Sequence, residues 1–496
     1  MAGSSVAGTG GTRVPWREVF QGRRGRLTAG LLLLEALVAI QGLVVATILP
    51  DVRRDLGMVQ LYGLVFTAAS LATIATIPIA GRAVDRFGAK RTLPPVLGLF
   101  ALGLAVSATA LAMPVLLGGQ FLTGAGGGGL YAMSVGTVAK TYPDHMRARV
   151  LALLASMWIL PGLIGPPMGA LIASTVGWRW AFLAPYPLIA LGWILIAPSL
   201  DLVPASDVVG DRLPVRWPLQ LMVGAGLVFT SLTFVRWWAL AMLAAGLLVG
   251  LPALARIVPP GTLHVRPGLP GAAAAAFLLS VGFLAVDAFL TLMLTEVRGL
   301  SLARAGVAVT LATLTWAAGS AWQSGRVERV PLAVLLRTGV WCTLAGELGV
   351  ASVLLPDVPV AAAFVGWALV GFGMGVAFPT VPLAAMRGSD PGREAGEVSS
   401  VLLMDMLGVA TGAGLGGGVI AVTGVLGIGL SEGLGGAYAI GVLALVVLLA
   451  VAGRIQRPDP LPHTVLGEPL PSEAPDPSSG EARKVHSRIR RGRGKR

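Results

Sequence analysis

The chain has 496 residues, 55% of them hydrophobic and only 12% charged, with a formal net charge of +13. Soluble domains carry about 25% charged residues, so this composition describes a membrane protein and excludes a soluble nucleic-acid binder in spite of the basic balance. Apolar stretches of the roughly 20 residues that a spanning helix needs recur from Leu27 almost to Val451, whereas a spanning β-barrel would show alternating segments of about 10 residues.

In chain order, polar and basic residues 1–26 form an N-terminal tail without the pattern of a cleavable signal peptide. Apolar runs between polar or Gly/Pro breaks then predict about fourteen helices, beginning near 27, 58, 92, 114, 148, 178, 217, 236, 270, 301, 331, 358, 397 and 432. Polar, Pro-rich breaks after the sixth and eighth helices divide these as six, two and six. The expected parts are a six-helix bundle at 27–198, a linker with two additional helices at 199–268, a second six-helix bundle at 269–453, and a disordered basic tail at 454–496. Lys and Arg are retained on the cytoplasmic side of short loops. With both termini cytoplasmic, 31 of the 37 basic residues fall inside and 6 outside. A single missed helix would spoil that ratio. Omitting the two central helices, interrupted by "FVRWWAL", keeps the parity, so twelve is the alternative. The 33 Arg against 4 Lys, with abundant Ala and Gly, fit a GC-rich bacterial genome.

No nucleotide-binding loop, Ser/His/Asp set or Cys/His cluster is evident, so neither an enzyme nor a metal or cofactor is expected. Three acids lie deep within apolar runs instead. An ionisable group there costs about 2.5–3.5 kcal/mol on insertion scales and is by default a functional hypothesis. Glu35 is 3 residues from its helix midpoint at Val38, roughly 4.5 Å in depth. Asp287 and Asp405 stand a little further from their own centres. Glu347, nearer the outer end of its helix, ranks below them. A carboxyl exposed alternately to two aqueous faces could carry protons; the structural alternative is a neutral acid hydrogen-bonded to a neighbouring helix.

Between the second and third helices lies "GRAVDRFGAKR". Gly81, Asp85, Arg86, Gly88, Lys90 and Arg91 match every position of the signature G-x-x-x-D-R-x-G-x-[RK]-[RK], and on them the chain resembles the major facilitator superfamily. The resemblance implies an all-α polytopic fold of two six-helix bundles, here with two extra central helices, and a cytoplasmic gate at this loop. A weakened echo, "GSAWQSGRVER", follows the tenth helix, with Gln323 at the acid position, as an internal repeat would leave. In the fifth helix, "WILPGLIGPPMGAL" resembles the exporters' G-x-x-x-G-P-x-x-G-G element at Gly165, Pro166 and Gly169, with Pro161 and Ala170 in place of two glycines. "VATILPDVRRDLG" and "GWRWAF" resemble the fourteen-helix drug/proton antiporter branch. That branch commonly has Asp where this chain has Gln41 and Arg where it has Gln120.

The buried acids, combined with the exporter-like fifth helix, lead to the expectation of a secondary transporter that couples inward proton movement to efflux of an amphiphilic or drug-like small molecule by alternating access. The expected site comprises Glu35, Asp287 and Asp405 as proton carriers, with Gln41, Gln120 and Trp158 lining the cavity. A monomer in a bacterial plasma membrane is expected, with small molecule, protons and lipid bilayer as partners. Replacement of the ionic pair by two amides leaves open an uncoupled metabolite or lipid exporter, and a non-transporting receptor with this fold is a third reading.

Overall fold

The computed structural model describes residues 20–456 except 144, 145, 147–149, 151, 152, 155, 204, 206–213, 235 and 388–393. Both expected tails, but for 20–26 and 454–456, and the expected start near 148 lie outside the described residues. The described residues fold as helices, all within the compact unit Met1–Gln456. They are α1 (Gly22–Leu56), α2 (Tyr62–Phe87), α3 (Ala89–Ala108), α4 (Met113–Thr141), α5 (Ile159–Thr175), α6 (Trp178–Leu183) and α7 (Tyr186–Ile196). Next come α8 (Arg216–Thr233) and α9 (Trp237–Ile257). The remainder are α10 (Leu269–Leu292), α11 (Leu302–Ser324), α12 (Leu332–Ser352), α13 (Ala361–Arg387), α14 (Glu394–Val425) and α15 (Leu430–Val451). Among the described residues eleven helical segments are long and apolar enough to cross a membrane, and α5 is a shorter apolar helix. Side chains such as Leu248, 77% exposed, and Val365, 70% exposed, face outward without polar neighbours, as they must where hydrocarbon is the solvent.

With no hydrophobic drive between helices in lipid, close approach depends on small residues. On α4, Gly124 and Gly128 face the α2 backbone at Ala69 and Thr73, while Gly119 and Gly126 face Ser107 and Phe100 of α3. Helix α13 repeats the device. Gly371 and Gly375 meet α11 at Ala312 and Trp316, and Gly373 meets α12 at Gly339. Thus α4 sits between α2 and α3 as α13 sits between α11 and α12, and the α1–α5 pairing is repeated by α10–α14. The helical echo in the sequence has this spatial counterpart. The tight turn from α2 into α3 depends on Gly88 at φ 76°, a conformation that strains any residue with a Cβ.

The two sides meet along α2–α14 and α5–α11. Helices α8 and α9 pack on each other where Gly224 faces Gly246 and Gly250, and α8 lies against both α2 and α14.

Candidate functional site

Buried carboxyls in the bundle sort into two groups. Glu35 on α1 is 5% exposed and accepts a hydrogen bond from the Trp158 indole Nε1 at 3.1 Å. Trp158 stands just before α5 and is 47% exposed, so the partner of the buried Glu35 carboxyl reaches the surface of the bundle. Asp405 on α14 is buried, accepts a hydrogen bond from the Ser280 hydroxyl of α10, and borders a small pocket with Phe378 and Pro382 of α13.

Asp287 belongs to the second group. It is partly buried on α10, two residues before Phe289, whose carbonyl accepts a hydrogen bond from Tyr438 of α15 at 3.5 Å. Glu347 on α12 is fully buried, and neither of its oxygens has a hydrogen-bond partner. Packing against α15 closes the site, since a Cβ on Gly441 would lie 3.2 Å from Glu347 Oε2.

The two glutamines are buried and differ in their contacts. Neither amide atom of Gln41 is hydrogen-bonded. The Gln120 amide donates to Ser107 Oγ at 2.9 Å, so it faces α3.

One end of the bundle carries an ion cluster that the sequence reading treated only as loop charge. The π-helical turn Met293–Val297 closing α10 places Glu296 against two cations of α1, Arg53 at 2.5 Å and Arg54 at 2.7 Å. Below it, Thr291 donates to the Ala46 carbonyl at 2.8 Å, Thr67 donates to the Ala410 carbonyl at 3.2 Å, and Gly63 meets Gly417 backbone to backbone. These links join α1 and α2 to α10 and α14 in the Arg53-end half of the bundle.

The opposite end carries the signature loop. Asp85, 8% exposed, pairs with Lys140 of α4 at 2.8 Å. Lys90 pairs instead with Asp201 at 3.1 Å, the Arg86 guanidinium lies over the Phe87 ring, Arg91 is exposed, and Gly81 lies in the last turns of α2. In α5, Gly165 and Gly169 face α1 at Leu43 and Val44, Gly162 faces Thr313 of α11, and the Pro166 carbonyl approaches Gly306. The exporter-like element thus wedges between α1 and α11.

The described residues thus form a helical bundle with acids held inside it and ion pairs at both ends. The chain belongs to the Major Facilitator Superfamily, whose family model matches residues 31–413. It is 27% identical over 430 residues to a "Probable multidrug-efflux transporter" of Mycobacterium tuberculosis (strain H37Rv), covering 82% of this chain and 89% of that protein. It is 23% identical over 397 residues to "Multidrug transporter protein MdtP" of Bacillus subtilis, covering 77% and 73%. Among solved structures, a D-xylose–proton symporter superposes with TM-score 0.63 at 14% identity over 88% of this chain and 99% of its own. The human organic anion transporter MFSD10 gives 0.59 at 16% identity over 88% and 100%. Both structural likenesses concern the fold alone.

Proposed function

We propose that this transporter is a proton-coupled exporter of amphiphilic, drug-like molecules, with fourteen spans and both termini on the cytoplasmic side of a bacterial plasma membrane. On that reading the Arg53 end faces outward, and the two six-helix bundles 27–198 and 269–453 rock about the central cavity. The Arg53–Glu296 closure and the Gly63–Gly417 contact, both at the outer end, support an inward-facing arrangement. In the outward-facing form these contacts part and the signature loop at Asp85 closes the inner end.

The observation that carries the reading is the environment of Glu35. Burial disfavours a charged carboxyl and water favours it. Glu35 is 5% exposed behind an exposed indole, so a modest displacement of Trp158 changes its access to water. Glu35, bonded to Trp158, and Asp405, bonded to Ser280, stand on helices of different six-helix bundles and give proton carriage two acids. Asp287 is the third carrier, placed closer to the outer closure. A carboxyl protonated from outside and deprotonated inside drives the cycle when outward-facing and inward-facing forms bind substrate differently. Efflux is favoured over uptake by the exporter-like element at Gly165, Pro166 and Gly169 and by the multidrug names of the relatives.

Gln41, buried with an amide lacking partners, favours a second reading in which an exporter of this fold works without proton coupling. Efflux of lipophilic cations from cells of an efflux-deficient host, measured with and without a collapsed pH gradient, separates the two. Gradient-dependent efflux supports coupling, gradient-independent efflux supports the second reading, and no efflux of any compound removes both.

A further inference from the structure

At the Arg53 end, apart from Glu35 and Asp405, the structure opens into a cleft of about 400 Å³, within the range of small-molecule sites. Three separate parts of the chain line it. Val59 and Gln60 come from the short turn after α1, Thr233 from the end of α8, Phe234 and Arg236 from the link between α8 and α9, and Ile420 and Gly424 from α14. Arg236 is the only charged residue of this lining. Among the described residues it has no ion pair and no side-chain hydrogen bond. Gln60 adds an amide on the facing wall.

The mouth of the cleft is strongly apolar. Trp237, next to Arg236, is 83% exposed, Leu240 is 70% exposed, and Val425 on the α14 side is 62% exposed. Exposed tryptophan is the mark of a membrane interface. An occupant must therefore present negative charge to Arg236, accept hydrogen bonds, and continue into hydrocarbon along α9 and α14. A guanidinium fork matches phosphate oxygens in geometry as well as charge. We propose that this cleft, which joins Arg236 and Gln60 beside an apolar exit, binds the headgroup of an anionic phospholipid taken from the surrounding bilayer. Its lining joins the turn leading into α2 to α14, so a bound lipid ties the two sides together and favours the closed form of this end. The site is independent of any proton-coupling role for Glu35.

Native mass spectrometry of the full-length protein in detergent tests this, with phosphatidylglycerol and phosphatidylcholine of identical acyl chains added separately. The wild type retains phosphatidylglycerol preferentially, and Arg236→Gln weakens that retention about fivefold, the effect expected of one basic residue at an anionic surface. Arg236→Lys keeps most of it. Arg304→Gln, which removes an exposed cation at the same end but outside the cleft, leaves it unchanged. Equal retention of the two lipids by the wild type, or undiminished phosphatidylglycerol binding by a folded Arg236→Gln protein, overturns the proposal. So does full displacement by inorganic phosphate, which would make the site one for a free anion. The comparison of the two lipids on the wild type stands even if Arg236→Gln fails to fold.

Discussion

Gly63→Ala tests the seam directly, because the substitution adds one carbon where two backbones touch. A Cβ there would lie 2.8 Å from the Gly417 Cα and closer still to the Ala413 carbonyl. Ordinary contact begins at 3.4 Å, so the helices must part by about 1 Å. Overpacking of this kind costs about 1–3 kcal/mol. The penalty falls on the closed form of the Arg53 end and is relieved when that end opens, so the open population rises by about 5–150-fold. Spin labels at Met58→Cys and Val425→Cys, in a Cys342→Ala background, report the separation by electron–electron resonance. The expected result is growth of a longer-distance component. Gly42→Ala, whose Cβ meets nothing within 4 Å, leaves the distribution alone. An unchanged distribution in a monodisperse Gly63→Ala protein would refute the claim that this contact holds the end shut.

Glu296→Gln weakens both arginine pairs of the closure. These side chains are 20–50% exposed, so each pair contributes about 1 kcal/mol at most; the same labels should show roughly a fivefold rise in the open form at low salt, and raised salt should mimic it in the wild type. No response to either change argues against an ionic closure. Glu347→Met replaces a fully buried carboxyl without partners by an apolar side chain of similar size. Thermal unfolding should show a protein at least as stable, by about 1–3 kcal/mol; clear destabilisation would mean that the carboxyl has a partner in the cell. Asp85→Asn and Lys140→Met should be non-additive, with a coupling of about 0.5–3 kcal/mol in a double-mutant cycle. Strict additivity would show that their 2.8 Å contact contributes nothing.

Helix positions were legible where the chemistry is local. Expected starts near 178, 217, 236, 270, 301 and 331 fall within one residue of the helices found, because Gly, Pro and charge interrupt the apolar runs there. Glu35 and Asp405 stood out because an acid within hydrocarbon is costly. Rotation about a helix axis was not legible. Gln120 turns toward Ser107 because glycines on α4 draw α2 and α3 against both its faces, a consequence of packing that one helix cannot display. Likewise the burial of Glu347 depends on Gly441 of α15, 94 positions away, where a Cβ would lie 3.2 Å from Glu347 Oε2. The ionic closure was missed for a similar reason. Arg53 and Glu296 lie 243 residues apart, and each alone looks like a flanking charge at the end of a span. An unpaired acid at the end of one first helix and a double arginine at the end of the other was the signal available.

The central claim is that Glu35 exchanges protons during the cycle, and proteoliposomes test it most directly. Glu35→Gln keeps the size of the side chain and removes its titration. With one lipophilic cation, two rates are read: transport driven by an imposed pH gradient, and exchange of labelled for unlabelled substrate at equal pH. The account expects gradient-driven transport to disappear while exchange and membrane insertion persist. Gradient-driven transport at the wild-type rate would contradict it.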